Sequence, residues 1–170
     1  MKLLSSTLLI LSLGSTTATW ANTETRVGPN ATISFATNAV TLSAGDKSQL
    51  KELVKSAQKH GKISEVQVAV WSDNPAPREG EKLSAADREL AEKRAKSVET
   101  YLNKSLKVGK VEVYNMADRA SWLARKFDTT DAELKAEIGR GGDRPMSKDE
   151  FQVFKDHGEA SKAVVLAITK

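Results

Sequence analysis

The sequence of 170 residues contains no cysteine and only two histidines. Without cysteine there can be no disulfide framework and no thiolate metal site, and two histidines are too few for most metal or acid–base centres. The usual enzyme signatures are missing as well: there is no G-x-S-x-G elbow, no H-E-x-x-H pair and no glycine-rich phosphate loop. We therefore expect a protein that is not an enzyme and that uses neither a metal nor a cofactor.

The sequence also lacks strong charge clustering and long apolar runs. Its formal net charge is only +4, and no stripe of lysine and arginine indicates nucleic-acid binding. The apolar run Leu3 to Leu13 is too short to span a membrane, which requires roughly 20 apolar residues. Because it follows Lys2 and precedes the small-residue box at Thr19 to Ala21, we predict a cleavable signal peptide at 1–21. The mature chain is then expected in the periplasm without a transmembrane segment, and it could associate with the cell wall or outer membrane.

The rest of the chain reads as a flexible leader at 22–30 followed by one domain at 31–170. Capped helices predicted to begin after Ser43 and Ser84 alternate with strands, which is typical of an α/β fold with a sheet that is at least partly parallel. A helical insertion at about 116–160, with a further cap at Ser147, precedes the last strand. The predicted strands are Ala31–Thr37, Glu65–Val70, Val111–Tyr114 and Ala163–Thr169; the last is almost continuously apolar and should lie inside the sheet.

One charged residue falls on the apolar side of the second helix. At 100° per residue from Leu90, the small and apolar residues form one stripe, and Arg94 falls inside it at about 40°. Asp87 falls at about 60°, within the same stripe. A guanidinium pointed at the sheet needs an acidic partner or an opening to solvent.

Asp73, which ends the second strand, is the natural partner for Arg94, because ligands of open α/β sheets bind beyond the carboxyl ends of the strands. Two interpretations are open. Asp73 or Asp87 neutralises Arg94 in a structural ion pair, or Asp73 and Arg94 together receive a zwitterion, the carboxylate binding an ammonium and the guanidinium a carboxylate.

Three segments resemble the OmpA-like, peptidoglycan-binding domain family. Phe35 to Leu42 is similar to its opening strand and turn, and Val66 to Asp73 to its strand ending in "G-H/Y-T-D". Leu90 to Leu102 is similar to "L-S-x-x-R-A-x-x-V-x-x-Y-L". The resemblance implies an α+β sandwich of the OmpA-like βαβαβ type, a mixed sheet with helices on one face, here with extra helices before the last strand.

The resemblance also implies a ligand, the diaminopimelate of the peptidoglycan stem peptide. Asp73 would take its ammonium and Arg94 its carboxylate. The predicted binding residues also include Ser72, which stands where the family has threonine, Asn74, which opens a lengthened rim loop, and Asp87, which replaces an asparagine beside the site. Asp87 either strengthens ammonium binding or captures Arg94 internally.

Three classes of function follow from these observations. The leading hypothesis is an exported module that binds peptidoglycan noncovalently. The alternative is a periplasmic scaffold of the same fold that has lost peptidoglycan binding, with another envelope protein as its partner. An enzyme is the third class, and the sequence gives it no catalytic signature.

Overall fold

The computed structural model describes residues 26–75, 83–117 and 147–170, which form a four-stranded mixed sheet with helices on both faces. Across the sheet the strands run in the order β1-β4-β2-β3. In chain order the elements are β1 (Arg26–Ser34), α1 (Ala44–His60), β2 (Ile63–Val70), α2 (Ala85–Thr100), a π turn (Tyr101–Ser105), β3 (Val111–Asn115), α3 (Lys148–His157) and β4 (Lys162–Thr169).

The strand β4 lies inside the sheet, as predicted from its continuous apolar run. It pairs antiparallel with both β1 and β2, and Ala163–Thr169 are all buried. The strands β2 and β3 pair in parallel, with α2 on the crossover between them. The predicted α/β class and partly parallel sheet are therefore confirmed.

The prediction of a flexible leader at 22–30 is wrong for its described part, because β1 begins at Arg26 rather than Ala31. Gly28 permits this early start: a Cβ there would lie 2.7 Å from the carbonyl oxygen of Ala167. Pro29 is tolerated because β1 is at the edge of the sheet, where the register with β4 shifts between Val27 and Asn30. Residues 22–25 lie outside the described part of the chain.

One face of the sheet is covered by α1 and α2, and the main core forms there. Leu50 and Leu53 of α1 and Val98 of α2 pack against apolar residues of the strands such as Val66 and Val68. The start of α1 is set by a complete capping box, in which Ser43 and Asp46 each bind the other's backbone N–H. Both predicted helix starts are confirmed, since α2 follows its cap at Ser84.

The opposite face carries α3, the described part of the helical insertion predicted at 116–160. Its cap at Ser147 forms the predicted capping box with Glu150. Phe154 packs edge-on against Tyr114 with ring centroids 6.3 Å apart, and Trp71 belongs to the same apolar cluster. Residues 118–146 of the predicted insertion lie outside the described residues, as does the predicted signal peptide at 1–21. No helix in the described ranges is long and apolar enough to cross a membrane.

Candidate functional site

Arg94 is completely buried. Its residue exposure is 0%, and Ala91, Ala95 and Val98 on the same side of α2 are buried with it. The sequence-based prediction that this helix directs Arg94 towards its own sheet is therefore confirmed. A guanidinium in such a position must have all or nearly all of its hydrogen bonds made within the protein.

The guanidinium of Arg94 donates four hydrogen bonds to other groups of the protein. Nε donates to the carbonyl of Ala39 at 2.8 Å, and one terminal nitrogen donates to the carbonyl of Trp71 at 3.1 Å. The other terminal nitrogen donates to the carbonyl of Ala36 at 3.1 Å and to Oδ1 of Asp73 at 2.5 Å. Since arginine has five N–H donors, these bonds leave one of them over.

Arg94 also contacts an aromatic ring, with its guanidinium carbon 4.9 Å from the centroid of Phe35. This distance falls within the range of a cation–π interaction. Through these contacts one side chain of α2 holds the loop that follows β1 and the segment that follows β2. Arg94 thus connects residues 35–39 with residues 71–73, and we call the region where they meet the corner.

Asp73 is bonded on several sides but is not fully buried. Oδ2 accepts a hydrogen bond from the backbone N–H of Asn38 at 2.7 Å, and Oδ1 accepts one from the hydroxyl of Ser161 at 2.7 Å as well as that from Arg94. The side chain remains 19% exposed. Partial burial acts to raise the pKa of Asp73, but the hydrogen bonds from Asn38, Arg94 and Ser161 outweigh it and hold the pKa below its ordinary value.

Asp87 belongs to a separate part of the rim. It accepts hydrogen bonds from the hydroxyl of Ser84 at 2.5 Å and from the side-chain amide of Asn74 at 2.8 Å. Hydrogen bonds from Ser84 and Asn74 lower the pKa of Asp87 against a smaller opposing effect of burial. Ser72 is buried and accepts from the backbone N–H of Asn74 at 3.1 Å. The five predicted site residues therefore form two groups, Asp73 with Arg94 and Asp87 with Asn74 and Ser72. The acidic residue that pairs with Arg94 is Asp73, not Asp87.

Several contributors to the site were not assigned from the sequence. Asn38 and Ser161 both bind Asp73, and both have a positive φ, 58° and 60°. The carbonyls of Ala36 and Ala39 carry no side-chain signal at all. Asn38 lay within a segment quoted for the family resemblance, and an asparagine with positive φ is a common turn residue, but nothing in the pattern linked it to Asp73.

The arrangement offers a partly exposed carboxylate that is kept ionised, beside a cation that has no exposed surface. It can therefore accept a hydrogen bond from an external cation at Asp73 without rearrangement. Within residues 26–75, 83–117 and 147–170, no group of three or more histidine or acidic side chains is placed to hold a metal ion.

Comparison with known proteins shows a structural likeness. No protein-family model and no curated protein matches the chain. Among solved structures it is similar to the OmpA-like domain of FopA1 from Francisella tularensis subsp. tularensis SCHU S4. The identity is 17% over 82% of this chain and 71% of that chain, with a TM-score of 0.44. Because function does not pass between proteins on a likeness of this degree, the geometry of the site must support any proposal by itself.

Proposed function

We propose that this chain is a non-enzymatic module of the bacterial periplasm that binds peptidoglycan noncovalently through the diaminopimelate of a stem peptide. The observation that supports the proposal is the state of Asp73. Its carboxylate has a lowered pKa, is 19% exposed and lies just beyond the end of β2. A carboxylate in this position is suited to receive the ammonium group of a ligand.

Asp87 and Asn74 complete the proposed site. Asp87 adds a second negative charge to the same rim, which favours an ammonium ligand. Asn74 is exposed, and only one of its two amide N–H groups is bonded within the described residues, to Asp87. The second N–H can donate to a carboxylate on the ligand.

Arg94 takes a different role in this proposal from the one that the family resemblance implies. With no exposed surface and four of its N–H groups bonded internally, it cannot reach a ligand unless the corner opens. We assign it to positioning: it orients Asp73 and fixes the loop that bears the Asn38 N–H. The ligand then meets Asp73 and Asn74, and Arg94 acts through Asp73.

Binding at one such site is expected to be weak. A hydrogen bond to a charged group contributes about 1.5–3 kcal/mol. The two proposed hydrogen bonds to the ligand, at Asp73 and Asn74, remain partly exposed to water. In the cell wall, however, stem peptides are repeated at high local density, so even a weak site would keep the protein at the wall.

Sedimentation with purified sacculi tests the proposal. Asp73→Asn removes the charge but keeps an acceptor for the Asn38 N–H, so we expect a folded protein that no longer sediments with the wall. Asp156→Asn is the matched control, because it makes the same charge change on the exposed end of α3. Equal sedimentation of wild type and Asp73→Asn would show that the proposal is wrong.

A second candidate is a scaffold or protein-interaction domain of the same fold that has lost peptidoglycan binding. The full burial of Arg94 favours it, because a receptor whose cation is occupied by its own carboxylate and carbonyls is already closed. Here the test is charge reversal at the rim. If Asp73→Lys keeps the sacculus binding of the wild type but no longer recovers an envelope protein that the wild type co-purifies, the scaffold is favoured.

A further inference from the structure

An open groove of about 620 Å³ lies between the loop that precedes α1 and the end of α2. Its apolar lining comes from Val40, Leu42 and Tyr101. Four lysines line the same groove, and no acidic side chain does so among the described residues; they are Lys47, Lys93, Lys96 and Lys104. We call this surface the lysine groove.

Two of the four lysines have no acidic partner in the described part of the chain. Lys93 pairs with Glu89 at 2.7 Å and Lys96 with Glu99 at 3.0 Å, both along the exposed side of α2. Lys47 and Lys104 are exposed and have no such partner there. The lysine groove therefore carries positive charge beside an apolar surface, which suits a ligand with an aliphatic backbone and a carboxylate.

The π turn shapes one wall of the lysine groove. At Tyr101–Ser105 the helix widens, and the N–H of Leu106 reaches back five residues to the carbonyl of Tyr101 at 3.1 Å. The hydroxyl of Tyr101 donates to the backbone carbonyl of Lys47 at 3.3 Å and so joins the two helices across the groove. Single π turns are rare and are frequent at functional sites.

The lysine groove adjoins the site at Asp73. The N–H of Asn38 binds Asp73, and Val40, two residues further along, already lines the groove. Two residues of chain extend about 7 Å at most. A peptide bound at Asp73 therefore needs only its next one or two residues, each about 3.3–3.6 Å long, to enter the lysine groove.

We propose that the lysine groove binds the free α-carboxylate of the glutamate that precedes diaminopimelate in the stem peptide, through Lys47 and Lys104. This inference rests on the proposed function and narrows its ligand. The glutamate is joined through its side chain, so its α-carboxylate is charged unless the peptide has been amidated. The protein then selects stem peptides that are not amidated at this position.

Calorimetric titration with three probes tests the inference. The probes are diaminopimelate alone, the alanyl-γ-glutamyl-diaminopimelate tripeptide, and the same tripeptide with the α-carboxylate of its glutamate amidated. Wild type should bind the charged tripeptide more tightly than the amidated one. In Lys47→Gln/Lys104→Gln the charged tripeptide should bind about two- to tenfold more weakly, as expected for two solvent-screened ion pairs, and the amidated one as in wild type.

Lys51→Gln/Lys59→Gln is the matched control, because it removes two exposed lysines of α1 that do not line the groove. It should bind all three probes as wild type does. Thermal unfolding of both double variants checks that the fold is intact.

The outcomes separate the two proposals. If Asp73→Asn weakens binding of all three probes but Lys47→Gln/Lys104→Gln binds both tripeptides as wild type does, the lysine groove has no part in recognition and the proposed function stands. If wild type binds none of the probes, the proposed function fails and this inference fails with it. If the lysine variant instead loses binding only to anionic lipid vesicles or to an acidic protein, the stem-peptide carboxylate is the wrong occupant.

Discussion

Replacing Arg94 with alanine should destabilise the domain strongly, because this side chain holds the loop after β1 and the segment after β2 against α2. The change removes one partner of a largely buried ion pair and takes the charged donor away from the carbonyls of Ala36, Ala39 and Trp71. Breaking a buried pair from one side costs about 3–5 kcal/mol. The Asp73 side chain is 19% exposed, so water partly solvates its carboxylate once Arg94 is removed. This lowers the cost of leaving that carboxylate unpaired. We expect a loss of about 3–4 kcal/mol.

Urea unfolding followed by far-ultraviolet circular dichroism measures this loss. With a slope of about 2 kcal/mol per molar urea, typical of small domains, the midpoint should fall by about 2 M in Arg94→Ala. Lys93→Ala is the control, because Lys93 is the preceding residue of the same helix and is exposed. Surface changes of that kind stay within about 0.5 kcal/mol.

A small effect would refute the assignment of Arg94 to positioning. If Arg94→Ala loses less than about 1 kcal/mol but abolishes sacculus binding, the guanidinium is not needed for the corner and acts on the ligand itself. If it loses the expected stability, sacculus binding by Arg94→Ala says little about direct contact, and the binding test belongs to Asp73→Asn.

Two further changes test other parts of the structure. Gly158→Ala should destabilise the domain by about 1–3 kcal/mol and alter tryptophan fluorescence, because a Cβ at Gly158 would lie 2.2 Å from the ring of the buried Trp71; an unchanged urea midpoint would contradict this packing. The pKa of Asp73 is depressed in the fold, so its contribution is present above the ordinary aspartate pKa of about 3.9 and is lost as the pH falls through the folded value. Asp73→Asn should therefore be less stable than wild type at neutral pH, and this difference in stability should shrink as the pH falls below about 3.9; a constant difference from pH 7 to pH 2 would contradict it.

Local signals made much of the fold predictable. The helix starts at Ser43, Ser84 and Ser147 depend on hydrogen bonds within four residues, so the sequence pattern contains them in full. The interior position of β4 follows from its apolar run, and the burial of Arg94 follows from helical geometry. Each of these features is determined by residues close together in the chain.

Features that depend on distant residues were not predictable in the same way. The early start of β1 requires β4 as a partner, more than a hundred residues away, and Gly28 and Pro29 disguise it as a leader. Asn38 and Ser161 reach Asp73 across 35 and 88 residues. The π turn arises inside a regular helical pattern, so nothing in the spacing separates it from α2. The sequence could pair Asp73 with Arg94. Only the three-dimensional arrangement shows that the guanidinium is fully buried and hydrogen-bonded within the protein.

The position of β4 has a consequence for how the chain acquires its structure. This strand comes after all other described strands in sequence, yet it separates β1 from β2 in the sheet. Until β4 is in place, β1 has no strand beside it and β2 exposes one edge, so the sheet cannot assemble progressively from the amino-terminal side. Non-local pairing of this kind is slow. The four-stranded sheet can therefore close only after the β4 segment has been synthesised.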